Sequence, residues 1–200
     1  MPSAASITRI VAMGDSTTAG SPAFKSPIEA PPDGYGDHTS QYAYWLMQSH
    51  PEWDVLNRGV NGERSDQIRG RFEHDVVAAA PKAVVIIAGV NDVYQGRSFE
   101  QVSAELRLMY ARAAQAGIRV VAGSILPYNT ATPEQNARMQ QINDWIRLQP
   151  GIVFADTRAA TAAAGKPDTL LDSADGLHPT PAGYHRMADE IRPALEQALR

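Results

Sequence analysis

The sequence contains no cysteine, which excludes disulfides, thiolate metal ligands and a cysteine nucleophile. It also lacks a basic stripe: 18 Lys and Arg against 22 Asp and Glu leave a net charge of -4, so nucleic acid is not an expected partner. No apolar run approaches the roughly 18–20 residues that span a bilayer, which excludes an integral membrane helix. The opening MPSAASITRIVAM has no basic segment followed by an apolar core, so no signal peptide is read there and a cytoplasmic location is expected unless a leader was removed. None of the five histidines falls in an HExxH pattern. His38, His50, His74 and His185 are scattered, and no metal site is expected.

What is present suffices for one core. A hydrophobic fraction of 44% in 200 residues predicts a single domain over residues 1–200. Short runs rich in Val and Ile, at residues 7–13, 53–58, 83–88, 118–123 and 151–155, predict five strands. Between and after them, residues 40–48, 65–79, 98–116, 133–148 and 181–199 carry helical periodicity, several opening on Ser, Thr or Pro. The uninterrupted VVIIAG run reads as a strand buried on both faces, so the expected fold is a doubly wound α/β domain with a parallel sheet. Ligands bind such sheets beyond the carboxyl ends of the strands, and function is therefore sought in the loops that follow them. Residues 20–39, dense in Pro and Gly, form a long loop after the first strand without expected regular structure; loops of that length are often functional.

Three strand ends carry glycine beside small polar residues: GDSTTAG at residues 14–20, NRGVNGERS at 57–65 and GVND at 89–92. Each has a plain reading. Ser16 could cap a helix, and Asn91 and Gly62 could serve turns. Asp15 and Asp92 are read as loop braces rather than as an acid/base pair. Near the carboxyl end, DGLHPT at residues 175–180 places an acid three residues before a histidine. A serine hydroxyl needs such a base, itself oriented by a carboxylate. Ser16, His178 and Asp175 together meet the requirement of acyl transfer, and the backbone amides of Ser16 and Gly62 with the Asn91 side chain supply the donor types of an oxyanion hole.

In four ordered blocks, GDS, VNGERSD, GVND and DGLH, the chain resembles the SGNH hydrolases, also called the GDSL esterase/lipase family. The resemblance covers essentially the whole chain. It implies a flavodoxin-like three-layer α/β/α sandwich with a five-stranded parallel sheet. It further implies Ser16 as nucleophile, His178 as base and then acid, Asp175 as its orienting carboxylate, an oxyanion hole from Ser16, Gly62 and Asn91, and no metal or organic cofactor. Block one departs from the common form by placing Thr17 where the family usually has leucine. Leu126-Pro127-Tyr128-Asn129 falls where the family usually shapes its substrate pocket.

The expected activity is that of a serine esterase on a small-molecule ester, acetyl or short- to medium-chain, acting through an acyl-enzyme. A lysophospholipase or thioesterase on longer chains is the alternative within the class. A non-enzymatic flavodoxin-like binding module is the alternative outside it, with GDSTTAG as an anion cradle; no P-loop lysine or GxGxxG accompanies that loop, and DGLH would be left without a role. Tyr35, Tyr42, Tyr44 and Trp45 could line a sugar platform but are more often core or cover.

Overall fold

The computed structural model describes residues 7–200; residues 1–6, on which part of the signal-peptide reading rests, lie outside the described residues. Five strands form the central sheet: β1 (Thr8–Gly14), β2 (Trp53–Gly59), β3 (Ala83–Ile87), β4 (Arg119–Gly123) and β5 (Ile152–Ala155). They run parallel in the order β2-β1-β3-β4-β5. The order reverses between β1 and β3, which places the ligand crevice of a doubly wound sheet at the carboxyl ends of those two strands.

Alternation within the strands supplies two cores. Val11 and Met13 of β1, with Val84 and Ile86 of β3, face one layer, and Ile10 and Ala12, with Val85 and Ile87, face the other. Both sets are buried, which is why these strands read as unbroken apolar runs. The first layer is made by α3 (Ser65–Gly70), α5 (Phe99–Gln115) and α6 (Pro133–Arg147), the second by α2 (Tyr42–Ser49) and α8 (Pro181–Ala198). The long helices begin where their caps dictate. Ser98 and Gln101 form a reciprocal capping box before α5, Thr132 and Gln135 another before α6, and Thr180 caps α8 ahead of Pro181.

The structure departs from the sequence reading in two places. The helix expected over residues 65–79 ends at Gly70, and a π-turn follows over Glu73–Val77. That break carries Phe72 and Val76 into the core while Arg71 reaches the end of β1, a tertiary contact that helical periodicity does not report. The long loop contains a small antiparallel ribbon, Phe24–Lys25 against Tyr35–Gly36, and a 3-10 turn at His38–Ser40. Short helices stand at the strand ends, α1 (Ser16–Ala19), α4 (Val90–Tyr94) and α7 (Thr157–Thr161), and a second antiparallel ribbon pairs Ala162–Ala163 with Lys166–Leu170. Among the described residues no helix is long and apolar enough to cross a membrane.

Candidate active site

The turn that carries Ser16 exists because two glycines let it descend onto the sheet. Gly14 and Gly59 face each other in register across β1 and β2. A Cβ on Gly59 would stand 2.0 Å from the Ala19 nitrogen, and one on Gly14 would stand 2.2 Å from Thr18 Oγ1. No other residue leaves room for α1, whose four residues are all buried. Asp15 caps this turn, its Oδ1 accepting from the Thr17 N–H at 2.9 Å. Burial, reinforced by the charges of Asp92 and Glu63, pushes the Asp15 carboxyl up to about 7 against the pull of the Thr17 hydrogen bonds.

His178 reaches this turn from the far end of the chain. Its Nε2 lies 2.9 Å from Ser16 Oγ and its Nδ1 2.7 Å from Asp175 Oδ2. The three-residue spacing lets the Asp175 carboxylate fold back: Oδ1 accepts the backbone N–H of Leu177 at 2.9 Å and of His178 at 2.8 Å. Ser173 closes the loop by donating to the His178 carbonyl at 2.7 Å. Burial raises the Asp175 carboxyl, but the hydrogen bonds from His178 and Leu177 outweigh it and hold the group well below the usual carboxylate range. It stays charged and faces the imidazole.

The other wall comes from the ends of β2 and β3. Gly62 sits at φ +76°, and a Cβ there would meet nothing within 4 Å, so backbone conformation rather than space calls for glycine. Asn91, on the first turn of α4, donates through Nδ2 to the Glu63 carbonyl at 2.9 Å, which fixes the amide while leaving its second hydrogen. Among the described residues, the N–H groups of Ser16 and Gly62 donate to no protein acceptor. Asp92 locks the two loops together, accepting from the Ser65 N–H at 2.8 Å, the Ser65 hydroxyl at 2.7 Å and Arg97 at 3.0 Å. Arg71 ties Glu63 to the Gly14 carbonyl, at 2.7 and 2.9 Å.

Ser16, His178 and Asp175 are thus joined by hydrogen bonds, while Asn91 is tied through the Glu63 carbonyl to the loop that carries Gly62. Sequence reasoning did not single out Arg71, and it placed Gly59 in a strand-end segment and Asn129 in a pocket segment without the supporting roles the structure gives them. Asn129 donates its N–H to the Gly176 carbonyl at 2.7 Å and accepts the Leu170 N–H at 2.7 Å, holding the histidine loop. In the same segment Leu126 and Tyr128 are buried, Tyr128 in the first core and Leu126 in the second. The residues considered for a sugar platform disperse. Tyr42 is core, Trp45 stacks on His185 at 4.1 Å, and Tyr35 is exposed on the ribbon. His50 stacks on Trp53 and bridges Glu52 and Glu196. Among the described residues, no cluster of three His, Asp or Glu is placed to hold a metal ion.

A hydroxyl, an imidazole and a carboxylate in hydrogen-bonded series, beside free N–H donors, form the arrangement of serine-type acyl hydrolysis. The model of the GDSL-like lipase/acylhydrolase family matches residues 12–186. The chain is 29% identical over 169 residues to an acetylxylan esterase of Geobacillus stearothermophilus, covering 74% of this chain and 75% of that protein. Among solved structures it resembles a G-D-S-L family protein from Desulfitobacterium hafniense DCB-2, with TM-score 0.77 and 23% identity over 94% of this chain and 99% of that one. It also resembles a catalytic mutant of the acetylxylan esterase Axe2 from Geobacillus stearothermophilus, with TM-score 0.73 and 22% identity over 96% and 95%. The chain belongs to the GDSL-like lipase/acylhydrolase family and has the SGNH hydrolase fold. It is a serine esterase, a hydrolase of carboxylic esters.

Proposed function

We propose that Ser16 is the nucleophile of this esterase, His178 its general base and then acid, and Asp175 the carboxylate that orients the imidazole. The Ser16–His178–Asp175 hydrogen-bond series carries this reading. Asp175 Oδ2 accepts the Nδ1 proton, leaving Nε2 free to take the proton from Ser16 Oγ as the hydroxyl attacks the ester carbonyl. The tetrahedral oxyanion is held by the N–H groups of Ser16 and Gly62 and by Asn91 Nδ2. His178 then gives its proton to the leaving alcohol, and water repeats the sequence on the acyl-enzyme. The ionised Asp175 stabilises the imidazolium formed in each half.

The preferred acyl group in this reading is acetyl, carried on a hydroxylated alcohol such as a sugar. The 29% identical acetylxylan esterase supports it. Hydrolysis of p-nitrophenyl esters from acetate to dodecanoate, with Ser16→Ala in parallel, tests both parts. A Ser16-dependent rate highest at acetate is expected. A maximum at octanoate or longer refutes the acyl preference, and turnover surviving in Ser16→Ala refutes the nucleophile.

A further inference from the structure

Beside the proposed triad the surface opens into a cleft of about 140 Å³. Pro22 and Ala23, from the long loop after α1, line one part of it. Asp175 and His178, with Ala174 and the segment from Pro179 to Pro181, line the rest, and Ser40 adds one hydroxyl. The cleft is therefore walled by the imidazole whose Nε2 lies 2.9 Å from Ser16 Oγ. Its loop wall is tied to the nucleophile as well: the Ser21 N–H, next to Pro22, donates to the Ser16 carbonyl at 3.1 Å.

The two walls are held to each other. Tyr184, on the helix that Pro181 opens, donates its hydroxyl to the Ser21 carbonyl at 2.7 Å, and the Ala23 carbonyl accepts the Asp37 N–H at 2.9 Å. Much of the polar lining is already engaged. Asp175 Oδ1 accepts two backbone N–H groups while Oδ2 faces the imidazole, and Thr180 Oγ1 accepts the Gly183 N–H at 3.3 Å. What is left for a ligand is mainly proline and alanine surface, which selects by apolar contact and by size. A cavity of roughly 150 Å³ holds one benzene ring, so this cleft has room for one six-membered ring.

The chemistry decides which half of the ester borders this cleft. The proton that His178 takes from Ser16 returns to the leaving oxygen, so that oxygen must lie at Nε2 when the bond to the acyl carbon breaks. The group it carries is then the one nearest the imidazole. We propose that the cleft between Pro22–Ala23 and Ala174–Pro181 is the alcohol subsite of this esterase. It selects acetate esters whose alcohol presents the apolar face of a six-membered ring, as a pyranose does on its C–H side. This rests on the triad and acetyl readings above. Ala23 and Ala174 are the specificity-determining residues, because their small side chains leave the cleft open.

The test follows hydrolysis of cyclohexyl acetate, methyl acetate and methyl hexanoate in a pH-stat, using the wild type, Ala23→Leu, Ala174→Leu and Ser16→Ala. Both alanines are exposed, so leucine fills the cleft without entering the core. The wild type should favour cyclohexyl over methyl acetate in kcat/KM. Each leucine variant should lower that ratio about 10-fold, chiefly through KM, because added methyl groups occupy the space of the ring. The ratio of methyl hexanoate to methyl acetate should not move. A cyclohexyl ratio unchanged in either variant overturns the subsite, as does a wild type without the cyclohexyl preference. An equal loss on all three esters would mean damage to the histidine loop and also overturns it. A loss confined to methyl hexanoate would assign the cleft to the acyl half instead. Turnover surviving in Ser16→Ala would overturn the nucleophile assignment, and a wild type faster on methyl hexanoate than on methyl acetate would overturn the acetyl preference.

Discussion

Gly59 makes no contact with substrate in the proposed mechanism, yet Gly59→Ala should be among the most damaging single substitutions. The added Cβ would stand 2.0 Å from the Ala19 nitrogen, 2.5 Å from the Ala19 Cα and 2.6 Å from the Thr18 carbonyl carbon. All three are backbone atoms of α1, so no side chain can swing aside. Restoring a 3.4 Å contact requires β2 and α1 to separate by about 1.4 Å. Ser16 begins α1, and its 2.9 Å hydrogen bond to His178 would be broken by a shift of that size. A displacement of about 1 Å costs roughly 100-fold in rate, and the overpacking costs about 1–3 kcal/mol of stability. The assay is kcat on p-nitrophenyl acetate together with urea unfolding, with Gly70→Ala as control. Gly70 lies in α3 with nothing within 4 Å of its added Cβ, and alanine there should be neutral or stabilising by about 0.4–1 kcal/mol. A Gly59→Ala enzyme within twofold of wild-type kcat would refute the claim that this glycine sets the height of the nucleophile.

Other outcomes follow from the same geometry. Ser16→Ala and His178→Ala should each abolish nearly all turnover, and the double variant should lose little more, because the groups act as a unit; losses that multiply would separate them. Asn91→Ala should lower kcat by about 100- to 1,000-fold with a smaller change in KM, as steady-state kinetics would show. Asp15 keeps its proton in the fold up to about pH 7 but would release it near 3.8 when unfolded. The native state thus binds the extra proton, and stability should fall as pH rises between those values, by up to about 4 kcal/mol. Asp15→Asn keeps the acceptor for Thr17 and should remove that slope, which urea unfolding at pH 5 and pH 8 will show; an unchanged slope would mean Asp15 is ionised throughout. Asp175 acts with the opposite sign: its lowered pKa adds stability above the unfolded carboxylate value that disappears as pH falls below it.

The sheet was legible from sequence because both faces of β1 and β3 are buried, so their residues had to be apolar without interruption. The starts of α5, α6 and α8 were legible because Ser98, Thr132 with Pro133, and Thr180 with Pro181 cap them through local bonds. The Asp175–His178 couple was local for the same reason: one turn of chain brings the carboxylate back to the ring and to two backbone N–H groups.

The remainder required the tertiary structure. Ser16 and His178 are 162 positions apart, and only the packing of α1 and α8 on the same side of the sheet joins them. Gly59 stood in a strand-end segment that the sequence marked, but its own necessity comes from the backbone of α1 pressing on it. Asn129 lay in a segment expected to shape the pocket, and its use in holding Gly176 and Leu170 depends on where the histidine loop lands. Sequence by itself determined what is set by neighbours along the chain: the alternation of strand and helix, the caps, and the acid beside its histidine. The folded structure alone decided which of those local pieces face one another, because hydrogen bonds and steric contacts between distant segments leave no periodic trace in the sequence.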